Sequence, residues 1–220
     1  MANDTVTLLS GIGGSQAYGL DTDQSDFDRY GVFLAPTRSI LGIYPIQETL
    51  TQTAPDSTMH ELGKFVRLAI KANPTILDLL YLEDYEVVHP AGQMLIDHRS
   101  MFLSKTVYKS FGGYARAQAQ RLKNRGDSFS SDTRNRTAKH ARHCFRLMRQ
   151  GAELLQTRTM TLKVTNREEL FALGEMPVDQ IVERFEAEFA RFDAVETSLP
   201  DEPDLDDINR MLLKIRETYG

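Results

Sequence analysis

The sequence predicts an α+β protein, a small sheet-bearing region followed by a helical one. Three observations carry that expectation. Apolar residues alternate over short runs in the first 60 residues, they recur every three or four positions from residue 61 onward, and turn residues punctuate the change. At 220 residues the chain can hold one large domain or two small ones sharing an interface.

Residues 5–10, with Val-Thr-Leu-Leu inside, read as a first strand running into a glycine-rich turn at 11–14. Residues 25–34 alternate as a second strand that Ala35-Pro36 stops. A third strand is expected over 48–59, where Thr51, Thr53 and Thr58 favour extension and Pro55 interrupts it. The period then changes: Leu62, Phe65, Val66, Ala69 and Ile70 mark a helix to residue 72, and Asn73-Pro74 closes it. Pro74-Thr75 opens a second helix whose apolar set is Ile76, Leu79, Leu80 and Leu82. A short strand at Val87-Val88 and a short helix over 91–98 complete the first half. Long helices are expected at 105–123 and 133–156, with a mobile polar connector at 124–132. A brief extended piece at 162–164 precedes helices at 167–173, 178–192 and 205–219. These patterns place a first domain at 1–100 and a helical domain at 101–220.

The single cysteine, Cys144, excludes an intramolecular disulfide, and no zinc-ligand cluster is visible, so a reducing compartment is the natural setting. Its expected role is that of a small buried apolar side chain. The N-terminus has no basic segment ahead of its apolar run, and no apolar run approaches the roughly 20 residues that span a bilayer. The expectation is a soluble cytoplasmic protein, of a bacterial cell or a virus-infected host cell, with no membrane partner.

The net charge of −5 conceals segregation. Residues 101–165 carry 14 Lys and Arg against 3 Asp and Glu, whereas 166–220 carry 6 against 15 and the first 100 residues 6 against 13. A basic middle suits a polyanionic substrate, a triphosphate or a nucleic acid. The plainer alternative is a solvated helix face paired with the acidic C-terminal helices.

The chemistry-bearing segment is Gly14-Ser15-Gln-Ala-Tyr-Gly19 followed by Ser25-Asp26-Phe-Asp28. On a strand, residues two apart face the same way, so Asp26 and Asp28 converge. Magnesium takes a few carboxylates together with phosphate oxygens and water, and manganese can replace it at such a site. Gly14 lets the backbone approach a phosphate closely, and the Ser15 hydroxyl adds a donor. Other readings fit less well. As a calcium loop starting at Asp21, the segment has Asp26 where glycine is needed and Val32 where glutamate is needed. As a dinucleotide fingerprint, Gly11-x-Gly13 lacks its third glycine, the position being Gln16. An acidic surface loop leading into a strand is the structural alternative.

Gly14-Ser15 with Ser25-Asp26-x-Asp28-x-x-Gly31-Val32 resembles the DNA polymerase beta nucleotidyltransferase superfamily. The longer pattern is similar to its RNA-ligase-associated, RlaP-like branch: Gly14 to Leu20, Glu61-Leu62-Gly63-Lys64-Phe65 and Asn73-Pro74-Thr75. The likeness continues through Gly113-Tyr114-Ala115, Gln118, Lys139-His140, His143 and Arg146-Leu147. It implies a small mixed sheet with flanking helices, followed by a helical domain that closes the nucleotide cleft. It also implies a third metal carboxylate about six residues before the leucine of the Leu-x-Lys pattern, which is Asp56, with Glu48 or Glu61 as alternatives. Asp26, Asp28 and Asp56 are then the catalytic and metal-binding set.

Lys139, His143 and Arg146 share a helix face at spacings of four and three and could contact the triphosphate or the acceptor. His140 and His143 make a poor metal pair, having no cysteine or acid on that face. Tyr114 and Gln118 stand four apart on the preceding helix, suited to a base-stacking role or to packing. Arg125-Gly126-Asp127 needs no reading beyond a loop. The expected reaction moves a nucleoside monophosphate from a nucleoside triphosphate such as ATP to a hydroxyl, releasing pyrophosphate. An RNA or transfer-RNA end is the leading acceptor, with a protein hydroxyl or a small molecule as alternatives. A catalytically silent nucleotide- or RNA-binding module is the contrasting class.

Overall fold

A computed structural model of the chain describes residues 5–125 and 131–220. They fall into two compact units: one takes the chain up to Phe102 together with Pro203–Gly220, the other Leu103–Glu202.

The first unit opens with β1 (Val6–Ile12), α1 (Gly14–Ala17), β2 (Arg29–Leu34) and α2 (Thr37–Ile40). It continues with β3 (Thr49–Thr53), β4 (Asp56–Glu61), α3 (Leu62–Ile70), α4 (Pro74–Leu80), β5 (Val87–Val88) and α5 (Pro90–Asp97). The five strands form one mixed sheet in the order β3-β4-β2-β1-β5. β2 and β4 run parallel, and the other neighbours are antiparallel.

Local chemistry explains the helix starts. Glu61 accepts the Gly63 amide at 2.6 Å ahead of α3, and Asn73 accepts the Ile76 amide at 3.3 Å ahead of α4, where Pro74 takes the first helical position. α3 buries Leu62, Phe65, Val66 and Ala69, the stripe its spacing predicts.

Three expectations are corrected here. The third strand is a hairpin, because the Ala54-Pro55 link folds the chain back and pairs Thr51 with Thr58 and Thr53 with Asp56. Its threonines suit two short strands as well as one long one. The second strand begins at Arg29, with 25–28 as a non-strand approach, while β1 reaches Ile12, so Gly11 lies in a strand. No strand forms at 162–164.

The second unit holds α6 (Thr106–Arg125), α7 (Ser131–Thr157), α8 (Arg167–Gly174) and α9 (Val178–Asp193). Phe111, Phe145 and Leu154 are buried together with Phe185, Phe189 and Phe192 of α9. Cys144 is buried too; burial pushes its thiol pKa up to about 12, and it acts as a packing residue. The connector expected at 124–132, with the Arg-Gly-Asp triplet, falls largely on 126–130, outside the described residues.

The last helix, α10 (Leu205–Tyr219), belongs to the first unit, although the sequence pattern groups it with the helical region. Asp204 caps it, accepting the amides of Asp206 and Asp207 at 3.1 and 3.0 Å. It buries Ile208, Met211 and Ile215, each contributing about 1.5–3 kcal/mol. Arg216, itself partly buried, donates to Oε1 of the buried Glu61 at 2.8 Å. An amphipathic stripe shows that a helix must pack but not on what. Among the described residues no helix is long and apolar enough to cross a membrane.

Candidate active site

The site expected from sequence is built at the end of the sheet where β2 and β4 begin. After Ile12 the β1–β2 ladder gains one more bond, the Gly13 amide donating to the Asp28 carbonyl at 2.8 Å. That bond lays the Gly13-Gly14 turn over β2. A Cβ at Gly13 would overlap the Tyr30 ring, and a Cβ at Gly14 would overlap the Asp28 carboxylate. Gly14 also has φ +62°, in the left-handed region that side chains disfavour. Both glycines are therefore required by the closeness of Asp28 and Tyr30.

The parallel register pairs Arg29 with Ser57 and Tyr30 with Thr58. Asp28, one residue ahead of β2, and Asp56, the first residue of β4, therefore stand at the same level. Asp28 is half-buried, while Asp26 and Asp56 are exposed. Among the described residues no group of three or more His, Cys, Asp and Glu side chains stands in metal-holding geometry. The structure thus brings Asp28 to Gly14 and aligns it with Asp56, but does not gather Asp26, Asp28 and Asp56 into a triad.

The alternatives for the third carboxylate are engaged elsewhere. Glu61 is buried, capping α3 and accepting from Arg216, and Glu48 pairs with Arg67. The donor set itself suits magnesium or manganese: hard carboxylate oxygens beside a turn that only glycine permits.

Ser15 follows in α1, and its carbonyl accepts the Leu20 amide at 2.9 Å. The Tyr18 hydroxyl donates to buried Asp78 of α4 at 2.5 Å, tying the turn's far side to the helix behind Asn73-Pro74. Sequence reasoning missed Asp78, which reads there as one polar residue in an apolar helix.

Lys139, His143 and Arg146 lie on α7, in the second unit. Lys139 is exposed. Arg146 is only 2 % exposed; it donates to Gln150 Oε1, and its other terminal nitrogen lies 3.1 Å from His143 Nδ1. An arginine can only donate, so Nδ1 is the acceptor and His143 carries its proton on Nε2. Burial, then Arg146, His140, Lys139 and Arg121, push the His143 pKa down to about 3, so it is uncharged near neutrality. His140 Nδ1 lies 2.6 Å from Gln118 Oε1, which engages Gln118 between α6 and α7, and Tyr114 is 43 % exposed.

Much of the basic surplus is paired inside the unit. Arg149 binds Glu169 and Glu188, Lys123 binds Glu186, and Arg116 and Arg142 lie over the rings of Phe189 and Phe171. For these residues the plainer alternative, pairing with the acidic C-terminal helices and their rings, is what the structure shows.

The family match places the chain in the DNA polymerase beta class of proteins. The family described as the RNA repair pathway DNA polymerase beta family, RlaP, matches over residues 2–214, and the chain belongs to it. A curated relative, an uncharacterized 38.9 kDa protein of Enterobacteria phage T4 encoded in the nrdC-mobD intergenic region, is 31% identical over 140 residues. That match covers 57% of this chain but 41% of the phage protein, so the chain spans less than half of the relative's length. A crystal structure of a nucleotidyltransferase-like protein from Exiguobacterium sibiricum aligns with 87% of this chain and 69% of its own, at 11% identity and a TM-score of 0.34. A likeness that slight carries no argument.

Proposed function

We propose that the chain is a metal-dependent nucleotidyltransferase that moves a nucleoside monophosphate from a nucleoside triphosphate to the terminal hydroxyl of an RNA, releasing pyrophosphate. One observation carries this reading: the Gly13-Gly14 turn pressed onto Asp28, with Asp56 level with it across the parallel register. In such a transfer the acceptor oxygen bonds to the α-phosphorus, the bond to the pyrophosphate oxygen breaks, and the hydroxyl proton leaves to a nearby base. Bound magnesium or manganese would neutralise phosphate charge and lower the acceptor hydroxyl's pKa.

The chain's own residues divide the remaining tasks. Asp26 and Asp28 would hold the ion together with Asp56, and Asp56 would also take the acceptor proton. Gly14 and Ser15 would seat the triphosphate through backbone amides and a hydroxyl. Lys139 is an exposed cation of α7 suited to phosphate or RNA, while Arg146 and neutral His143 would support that face from within. The family's description and the basic stretch 101–165 favour RNA over a protein or small-molecule acceptor.

Pure protein incubated with magnesium and each labelled nucleoside triphosphate, with and without total RNA, tests this. RNA-dependent label transfer with pyrophosphate release is expected. Nucleotide binding without transfer to any acceptor class would instead identify a silent binding module.

A further inference from the structure

A cavity of about 230 Å³ opens on the sheet face that carries Asp28 and Asp56, two residues further along both strands. Its floor is Tyr30 of β2 with Thr58 and His60 of β4. Leu68 of α3 and Thr75, Ile76 and Leu79 of α4 wall it. No Asp, Glu, Lys or Arg lines it. An anion there would lose its hydration with no counter-charge, so phosphate is a poor occupant. The volume lies below the roughly 300–1,000 Å³ typical of pockets for whole drug-sized ligands, which suits one ring system.

Three polar side-chain atoms at this cavity have no hydrogen-bond partner among the described residues: the hydroxyls of Thr58 and Thr75, and His60 Nε2. Thr49 holds the His60 ring: Lys64 Nζ donates to Thr49 Oγ1 at 2.6 Å, and His60 Nδ1 lies 3.0 Å from the same hydroxyl. Nε2 is the ring nitrogen left for a ligand, as a donor or an acceptor according to the tautomer. Burial, then the Lys64 ammonium, lowers the His60 pKa, which keeps the ring neutral near pH 7. The cavity thus offers one neutral imidazole nitrogen and two hydroxyls between an aromatic ring and aliphatic walls.

We propose that this cavity receives a nucleobase, recognised by His60 Nε2 and the hydroxyls of Thr58 and Thr75 and packed against Tyr30. Two residues along a strand span about 7 Å, a separation of the order of a ribose and its ester linkage, so a base here leaves its phosphate at the carboxylates. The inference rests on the nucleotidyl-transfer reading for that phosphate placement. The base could come from the incoming triphosphate or from the terminal nucleotide of the acceptor, and both present the same chemistry.

The test is calorimetric titration with the four nucleosides, which carry no phosphate, on wild type, His60→Ala and Thr75→Val. Thr75 is exposed and valine is nearly isosteric, so that variant keeps the fold, as a thermal melt verifies. Wild type should bind at least one nucleoside, and each variant should weaken it about tenfold. Competition of the nucleoside with the triphosphate, with a raised KM for the triphosphate in the variants, assigns the donor base. Competition with RNA assigns the acceptor base. Absence of nucleoside binding at millimolar concentration, or wild-type affinity in both variants, overturns the proposal. Nucleoside binding without any transfer would leave the cavity standing and overturn the reaction instead.

Discussion

In the first unit Asp26 and Asp56 stand exposed, and Asp28 lies half-buried beneath the Gly13-Gly14 turn. In the second, Arg149 and Lys123 hold glutamates, Arg116 and Arg142 lie over rings, and Arg146 is buried against Gln150 and His143. The difference teaches how to read charge in a sequence. An exposed carboxylate on backbone that strand pairing fixes, as at Asp56, is available to a ligand. A basic residue on an amphipathic helix beside acidic helices is first a packing and pairing group.

The strongest break of this comparison is Asp28→Ala or Asp26→Ala, expected to lower transfer by about 10²–10³-fold or more while circular dichroism stays native. Retained activity in either variant would sink the metal assignment. Next, Arg146→Ala should destabilise the chain by about 3 kcal/mol in urea unfolding, because it empties a buried site and leaves Gln150 and His143 without their donor. An unchanged midpoint would mean that Arg146 is not a structural group. Gly14→Ala should cost about 1–3 kcal/mol, from positive φ and the overlap with Asp28, and should impair transfer further than that loss of folded protein explains.

The His143 prediction concerns pH. Its folded pKa, about 3, lies below its ordinary 6.5, so between those values the unfolded chain binds more protons than the folded one. The stability this gives is therefore present above pH 6.5 and is lost as pH falls toward 3, at up to about 1.4 kcal/mol per pH unit. His143→Gln should flatten that slope in melts between pH 7 and 5. Lys139→Ala is the smallest change: stability should move by no more than about 0.5 kcal/mol, while RNA or triphosphate affinity falls and its salt dependence weakens.

Helix positions were legible because their periodicity and caps are local. Asn73-Pro74 ends one helix and starts the next, as its chemistry requires. The hairpin at Ala54-Pro55 was not, since threonine-rich extension is the same signal in one strand or two. The candidate carboxylates could be picked out by order and spacing, but the cavity beside them could not. Tyr30, Thr58, His60 and Thr75 are scattered ordinary residues until β2 and β4 pair and α4 folds over them.

By itself the sequence determined the chemical vocabulary of this protein: a glycine turn, paired aspartates, a helical second half, and family membership carried by motifs. These are properties of neighbours in the chain, where backbone preference and side-chain period act over a few residues. Tertiary structure alone decided that Asp56 stands level with Asp28, that α10 returns to the first unit, that Arg146 is buried, and that His60 lines a cavity beside Tyr30 and Thr58. Each depends on which distant element packs against it, and the free energy that selects that partner comes from burial and hydrogen bonding between segments that the linear order keeps apart.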